Sequence, residues 1–469
     1  MMASVTHVVI LGGGPGGYEA ALVAAQLGAE VTVVDRDGVG GAAVLTDCVP
    51  SKTLIATAVL MEAVEGSAEL GVRVGADVVA DLGVVNHRVK ALARAQSADV
   101  AARLTREDVR VVVGTGRLDG PQAVAVDGGR VAADVVLVAT GARPRVLDGA
   151  EPDGERILTW QQLYDLAELP QRLVVVGSGV TGLEFAGAYL ALGCDVVLVS
   201  SRDRVLPGED ADAAGVIEDV YRRRGMTVLS GSRMASVERT GGRDGGPDGG
   251  RHGGDGVRVV LTDGGTVDGS HCLLALGSVP NTDGLGLDDA GVDIDERGFV
   301  EVDRVSRTSA RGVYAAGDCT GVLMLASVAA MQGRIAMWHA LGDAVRPLDL
   351  AQVSSTVFTA PEIATVGWTQ QMVEDGQAEA DTLTLELDGN ARAKMQGVHE
   401  GFIKLFCRPG TGVVVGGVVV APQASELIHP LAVAVACNLT VDQVAHAFTV
   451  YPSMTGSVAE VARRLRRRA

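Results

Sequence analysis

No two cysteines in this sequence stand as a CxxC pair: Cys48, Cys194, Cys272, Cys319, Cys407 and Cys437 are scattered over 469 residues. That spacing offers neither a metal-ligand cluster nor a disulfide framework, and it suits a reducing compartment. Basic residues are also short. Forty Lys and Arg against 58 Asp and Glu leave a net charge of −18, which repels phosphate backbones and argues against nucleic acid as a partner. The one basic stretch, ARRLRRRA at the C-terminal end, reads as a solvated helix terminus whose cations face the helix dipole. No basic segment leads into a short apolar stretch of the secretory kind, and no unbroken apolar run approaches membrane-spanning length. A cytoplasmic protein is expected, with membrane contact at most transient.

With 47% hydrophobic residues over this length, three or four domain-sized units are expected rather than one core. Residues 5–11 form a β-branched apolar run, glycines follow, and an Ala-rich helical pattern extends to Leu27. This is strand, turn and helix, and residues 31–34 supply the next strand of a βαβ unit. A second such unit begins at 173–176, turns through GSGVTG, continues as a helix to Leu192 and reaches a strand at 196–199. Residues 240–256 are rich in Gly and Asp, cannot bury a face, and are expected as a flexible hairpin tip. Beyond Asp349, β-rich runs at 401–406 and 412–420 precede Ala/Val helices, which marks a separate C-terminal domain.

In the first glycine motif, Gly12 permits a tight turn, Gly14 lets a pyrophosphate approach the backbone, and Gly17 lets helix and strand pack closely. Asp35 ends the following strand, where a carboxylate can bind a ribose hydroxyl. In the second motif the equivalent glycines are Gly177, Gly179 and Gly182. Its following strand ends in SSRDR, with Ser200, Arg202 and Arg204 where an acid would repel a 2′-phosphate and guanidiniums would bind it. NADPH is therefore favoured there, with NADH possible.

Two such motifs in this order, together with CVPSK at 48–52, ATGARP at 139–144, ALGSVPNT at 275–282, YAAGDC at 314–319 and FTAPEIATVG at 358–367, resemble the pyridine nucleotide-disulfide oxidoreductases, flavoproteins of the dihydrolipoamide dehydrogenase type. The resemblance implies an α/β fold with two Rossmann-like dinucleotide-binding domains, for FAD and NAD(P), plus a C-terminal α+β dimerisation domain. FAD binding would occupy 1–150 and 276–348, NAD(P) binding 151–275, and dimerisation 349–469. It further implies FAD contacts at Gly12, Gly14, Gly17, Asp35, Gly40, Gly41, Lys52, Gly116, Thr140, Gly141, Asp318 and Ala326. Nicotinamide-cofactor contacts would fall at Gly177, Gly179, Gly182, Glu184, Ser200, Arg202, Arg204 and Gly277. Lys52 and Glu184 match the family's ion pair beside the flavin, where a cation can stabilise developing negative charge. A homodimer is implied, with Tyr451 facing the partner's flavin.

The departures from the pattern are specific. The family's redox disulfide would pair Cys48 with position 43, which here is Ala43. A thiol relay needs two sulfurs, so this one cannot run. The family's histidine base and its orienting glutamate are replaced by Tyr451 and Gly456, and an ordinary tyrosine, with a pKa of ~10, is a poor proton acceptor at neutral pH. His446 is read as a surface or packing residue. Hydride can still enter from NAD(P)H, but the disulfide exit is missing. An NAD(P)H:quinone oxidoreductase is therefore expected. The alternatives are a single-cysteine peroxidase built on Cys48 and a non-catalytic FAD-binding paralogue.

Overall fold

A computed structural model describes residues 5–75, 78–241 and 256–466. The chain divides into two compact units, one of residues 1–53, 86–145 and 277–349, the other of 54–85, 146–276 and 350–469. Both segments expected to bind FAD thus contribute to the first unit, but 54–85 cluster with the second, which also holds the expected NAD(P) and dimerisation segments.

The first unit is built on a five-stranded parallel sheet in the order Val313–Ala315, Val135–Val138, His7–Leu11, Glu30–Asp35, Arg110–Val113. The central strands read VVIL and VVLV with every residue buried, as strands covered on both faces require. Helices Pro15–Gln26 and Ala326–Ala340 pack through small residues: a Cβ on Gly333 would lie 2.0 Å from the Gly16 carbonyl oxygen. Glu19 is buried on the same helix and accepts hydrogen bonds from Arg334 at 2.9 Å and Arg103 at 3.4 Å.

The second unit repeats the design in a parallel sheet ordered Thr227–Leu229, Asp195–Val199, Arg172–Val176, His271–Leu274, Ile157–Thr159. Strands Met234–Thr240 and Gly256–Leu261 pair in antiparallel register with Thr240 opposite Gly256. The hairpin tip expected between them lies outside the described residues. The C-terminal part is a five-stranded antiparallel sheet, Ser354–Val357, Glu362–Gly367, Val414–Ala421, Phe402–Cys407, Asp381–Glu386, covered by helices that include Thr455–Arg466. Arg463 and Arg464 on that last helix pair with Glu460, and Arg466 pairs with Asp442.

The segment Gly41–Ala68 is not an unbroken apolar run, but by length and composition it is apolar enough to cross a membrane, with a mean hydropathy of 1.4 over its most apolar window. It is nevertheless two helices, Gly41–Leu45 and Cys48–Glu65, broken at Thr46 and Asp47, and it carries Lys52, Glu62 and Glu65 along its length. Leu54 within it is completely buried, as is 33% of its apolar window.

Candidate functional site

In the first unit the glycine motif lies between strand His7–Leu11 and helix Pro15–Gln26. Gly12 has a φ of +104°, and a Cβ there would sit 2.2 Å from the Ala139 carbonyl oxygen. Gly17 is equally constrained, 1.8 Å from the Gly12 carbonyl oxygen. Gly14 differs: a Cβ there would meet only the Gly41 Cα, at 3.8 Å. Gly14 is also the helix N-cap, and no side chain caps it. The helix therefore ends in uncapped N–H groups facing open space, which fits a pyrophosphate. Gly40 and Gly41, both at positive φ, hold the facing chain against Gly13 and Gly14, with the Gly40 N–H donating to the Gly13 carbonyl at 2.7 Å.

Asp35 accepts N–H bonds from Gly13 at 2.6 Å and from Asp37 and Gly38 at 2.8 Å each. Two carboxylate oxygens have about four acceptor positions, so Asp35 orders the loop and retains capacity for a ribose hydroxyl. Thr140 donates its hydroxyl to the Asn281 carbonyl at 2.7 Å, and Gly141 takes a φ of +70°. Gly277, expected on the nicotinamide side, groups with the first unit, where its carbonyl accepts the Arg145 N–H at 2.9 Å. Gly116 is explained by packing, since a Cβ there would lie 2.5 Å from Leu11 Cδ2. Ala326 opens its helix, again without a side-chain cap. Burial and the nearby charge of Asp47 push the Asp318 carboxyl up to about 6.

Cys48 is the first residue of helix Cys48–Glu65 and is half-buried; Lys52 lies one turn on, also half-buried. Of the six cysteines, Cys48 is half-buried, Cys437 is exposed and the other four are buried. Elsewhere burial holds thiols inert, pushing Cys194 up to about 12 and Cys319 up to about 11. Tyr451 is 85% exposed beside the exposed Phe448 and Val450, and Gly456 lies in the first turn of helix Thr455–Arg466, where its N–H donates to the Ser453 hydroxyl. His446 is exposed and bonds back to the Asp442 carbonyl, as expected of a surface residue.

The second unit's motif repeats the first: Gly177 has a φ of +113° with a Cβ position 2.1 Å from the Ala275 carbonyl oxygen, and Gly182 comes within 1.9 Å of the Gly177 carbonyl oxygen. Gly179 is an uncapped N-cap with no atom within 4 Å of its Cβ position. Ser200 is completely buried, 2.7 Å from the Ser178 hydroxyl, and accepts the Arg202 N–H while donating to the Arg202 carbonyl. Arg204 donates to the carbonyls of Glu209 and Pro207. Both side chains therefore hold the loop, and Arg202 is the exposed cation of the stretch. Glu184 is 4% exposed and accepts the Phe358 N–H at 2.9 Å.

Among the described residues, a cavity of about 640 Å³ opens in the first unit beside strand Val313–Ala315, lined by Arg307, Arg311, Tyr314 and His339 among others. None of the residues predicted for the site lines it, and the helix N-termini remain the better-founded location. Two contacts escaped the sequence reading: that of the Phe358 N–H with Glu184, since FTAPEIATVG was read only as part of the family pattern, and that of Lys404, whose only signal is a lysine inside the apolar strand FIKLFC.

Residues 6–333 match the family model for pyridine nucleotide-disulphide oxidoreductases, and 353–462 match the dimerisation domain of the same family, which supports a homodimer. The chain is 55% identical to the NAD(P)H dehydrogenase (quinone) of Mycobacterium tuberculosis, over 98% of this chain and 94% of that protein. It is 32% identical to the dihydrolipoyl dehydrogenase of Chlorobaculum tepidum, over 98% and 97%. The crystal structure of LpdA from Mycobacterium tuberculosis superposes with a TM-score of 0.91 at 54% identity, covering 98% of this chain and all of that one. With two uncapped glycine-motif helices in place and both family models matched in order, the chain belongs to the pyridine nucleotide-disulphide oxidoreductases and is an FAD-dependent NAD(P)H oxidoreductase.

Proposed function

We propose that the protein is a cytoplasmic NAD(P)H:quinone oxidoreductase, which takes hydride from NADPH through FAD and delivers the electrons to a quinone-like acceptor without a cysteine disulfide. The observation that carries this is Ala43 opposite Cys48: the family's relay needs two sulfurs and the chain has one there. Tyr451 and Gly456 at the base positions agree with it, since a relay without its thiol pair has no use for a thiol base. The name of the Mycobacterium tuberculosis relative adds support.

FAD, when bound, supplies the two-electron carrier between nicotinamide and acceptor. The protein's part is to bind and orient. The open N-terminus at Gly14 receives the pyrophosphate, Asp35 a ribose hydroxyl, and the uncapped start of Ala326–Ala340 a further electronegative edge. Gly179 serves the nicotinamide cofactor in the same way, and Arg202 favours a 2′-phosphate. Lys52 supplies positive charge where negative charge develops, and Glu184 is oriented for its part by the Phe358 N–H. Apolar acceptors need only a flat, accessible face, which loss of a sulfur and an imidazole provides.

An acceptor screen at fixed NADPH tests the reading. Small quinones should turn over fastest, and faster reduction of lipoamide or glutathione disulfide would sink it. Cys48→Ser should leave quinone turnover intact, whereas a peroxidase built on that thiol would lose peroxide-dependent NADPH oxidation.

A further inference from the structure

Glu184 is buried, and a buried carboxylate adopts the place its hydrogen-bond donors give it. It accepts the Phe358 N–H at 2.9 Å, from a stretch that follows strand Ser354–Val357 and has no regular structure of its own. Two residues further, the Ala360 N–H donates to the Tyr221 hydroxyl at 3.4 Å. The same hydroxyl lies against the helix that carries Glu184: a Cβ on Gly187 would be 2.0 Å from Tyr221 Oη. Gly187 is three residues from Glu184 and shares its helix face. Tyr221 therefore fills the space that a side chain at 187 would occupy and touches both the carboxylate's helix and the strap whose N–H donates a hydrogen bond to the carboxylate.

Tyr221 is itself anchored. It is completely buried on helix Ala211–Arg223, and burial raises its hydroxyl pKa above the ordinary value, which keeps it a neutral phenol. The helix start is fixed by Asp210, which caps it and binds the Lys404 ammonium at 2.8 Å. At the other end Arg224 pairs with Glu62. These ties hold both ends of the helix that carries the hydroxyl.

We propose that Tyr221 is a positioning residue for Glu184, acting through the 358–360 backbone so that the C-terminal sheet sets where the carboxylate stands during hydride transfer. This rests on the role assigned to Glu184 above. Tyr221→Phe keeps the ring and removes only the hydroxyl, which accepts the Ala360 N–H. In the FAD-loaded protein it should slow the bleaching of flavin absorbance by NADPH about fivefold, the scale of one hydrogen bond. FAD content and melting temperature should stay near wild type, and hydrogen exchange at the Phe358 and Ala360 amides should accelerate. Glu184→Gln should also slow bleaching, and the double variant should be no slower than Glu184→Gln alone, because Tyr221 would act only through that carboxylate. Wild-type bleaching rates in Tyr221→Phe, unchanged exchange at Phe358, or full additivity in the double variant would each overturn the proposal. A wild-type protein that neither NADPH nor NADH bleaches would instead remove the proposed function, and this role with it.

Discussion

Lys404 offers the sharpest test of how the second unit is held together. Its side chain and that of Asp210 are each 2% exposed, with Nζ 3.0 and 2.8 Å from the two carboxylate oxygens and 2.7 Å from Asp212. Burial of the ammonium works against its charge, but the bonds to Asp210 and Asp212 outweigh this and leave its pKa raised. Lys404→Met retains most of the volume and abandons a carboxylate in the interior, which costs ~3–5 kcal/mol when one partner of a buried pair is removed. At roughly 2–4 °C per kcal/mol for a unit of this size, apparent melting should fall by on the order of 10 °C. The double variant Lys404→Met, Asp210→Ser removes the stranded charge yet keeps a side chain able to accept the N–H groups that Asp210 now accepts from Asp212 and Ala213, so most of the loss should return. Thermal and urea unfolding monitored by far-UV circular dichroism supply the comparison. Because the folded-state pKa of Lys404 is raised, its contribution is complete below the ordinary lysine value and disappears only as pH climbs through the folded value. The gap between wild type and Lys404→Met should therefore be flat from pH 6 to 9. A single variant within about 1 kcal/mol of wild type, or a double variant no better than the single, would refute the claim that the pair is a buried charge couple.

Gly333→Ala drives a methyl into the Gly16 carbonyl and should cost ~1–3 kcal/mol, with a lower ratio of flavin to protein absorbance after purification. Gly215→Ala, in helix Ala211–Arg223 with nothing near its Cβ position, should instead stabilise by ~0.5–1 kcal/mol. Arg202→Glu should move kcat/KM toward NADH by about tenfold, and an unchanged ratio would detach Arg202 from the 2′-phosphate. Asp318 holds its proton more tightly in the folded chain, to about 6, so flavin-free protein loses stability as pH rises from the unfolded carboxylate value through 6. Asp318→Asn should melt higher than wild type at pH 7.5 and alike at pH 3.5, measured after flavin removal.

The glycine motifs were readable from sequence because their constraints are local: a carbonyl about 2 Å from a missing Cβ at Gly12, Gly17, Gly177 and Gly182 leaves no other residue possible. The expectation of a missing disulfide exit is equally local, since it rests on Ala43 standing where a partner for Cys48 would fall. Ser200 and Arg204 looked like phosphate ligands because sequence shows a hydroxyl and a guanidinium but not the carbonyls a few residues away that occupy them. The contacts that order the second unit were invisible, since Lys404 lies 194 positions from Asp210 and Phe358 lies 174 from Glu184. These distant contacts share an arrangement: each joins the nucleotide-binding part of the second unit to its C-terminal sheet. The C-terminal sheet is thus tied to the nucleotide-binding part of the unit through residues other than Tyr451 and Gly456. On the proposed reading, a chain without the two-sulfur relay still needs hydride to enter, and the tie between Glu184 and Phe358 would serve that step by holding the carboxylate in place.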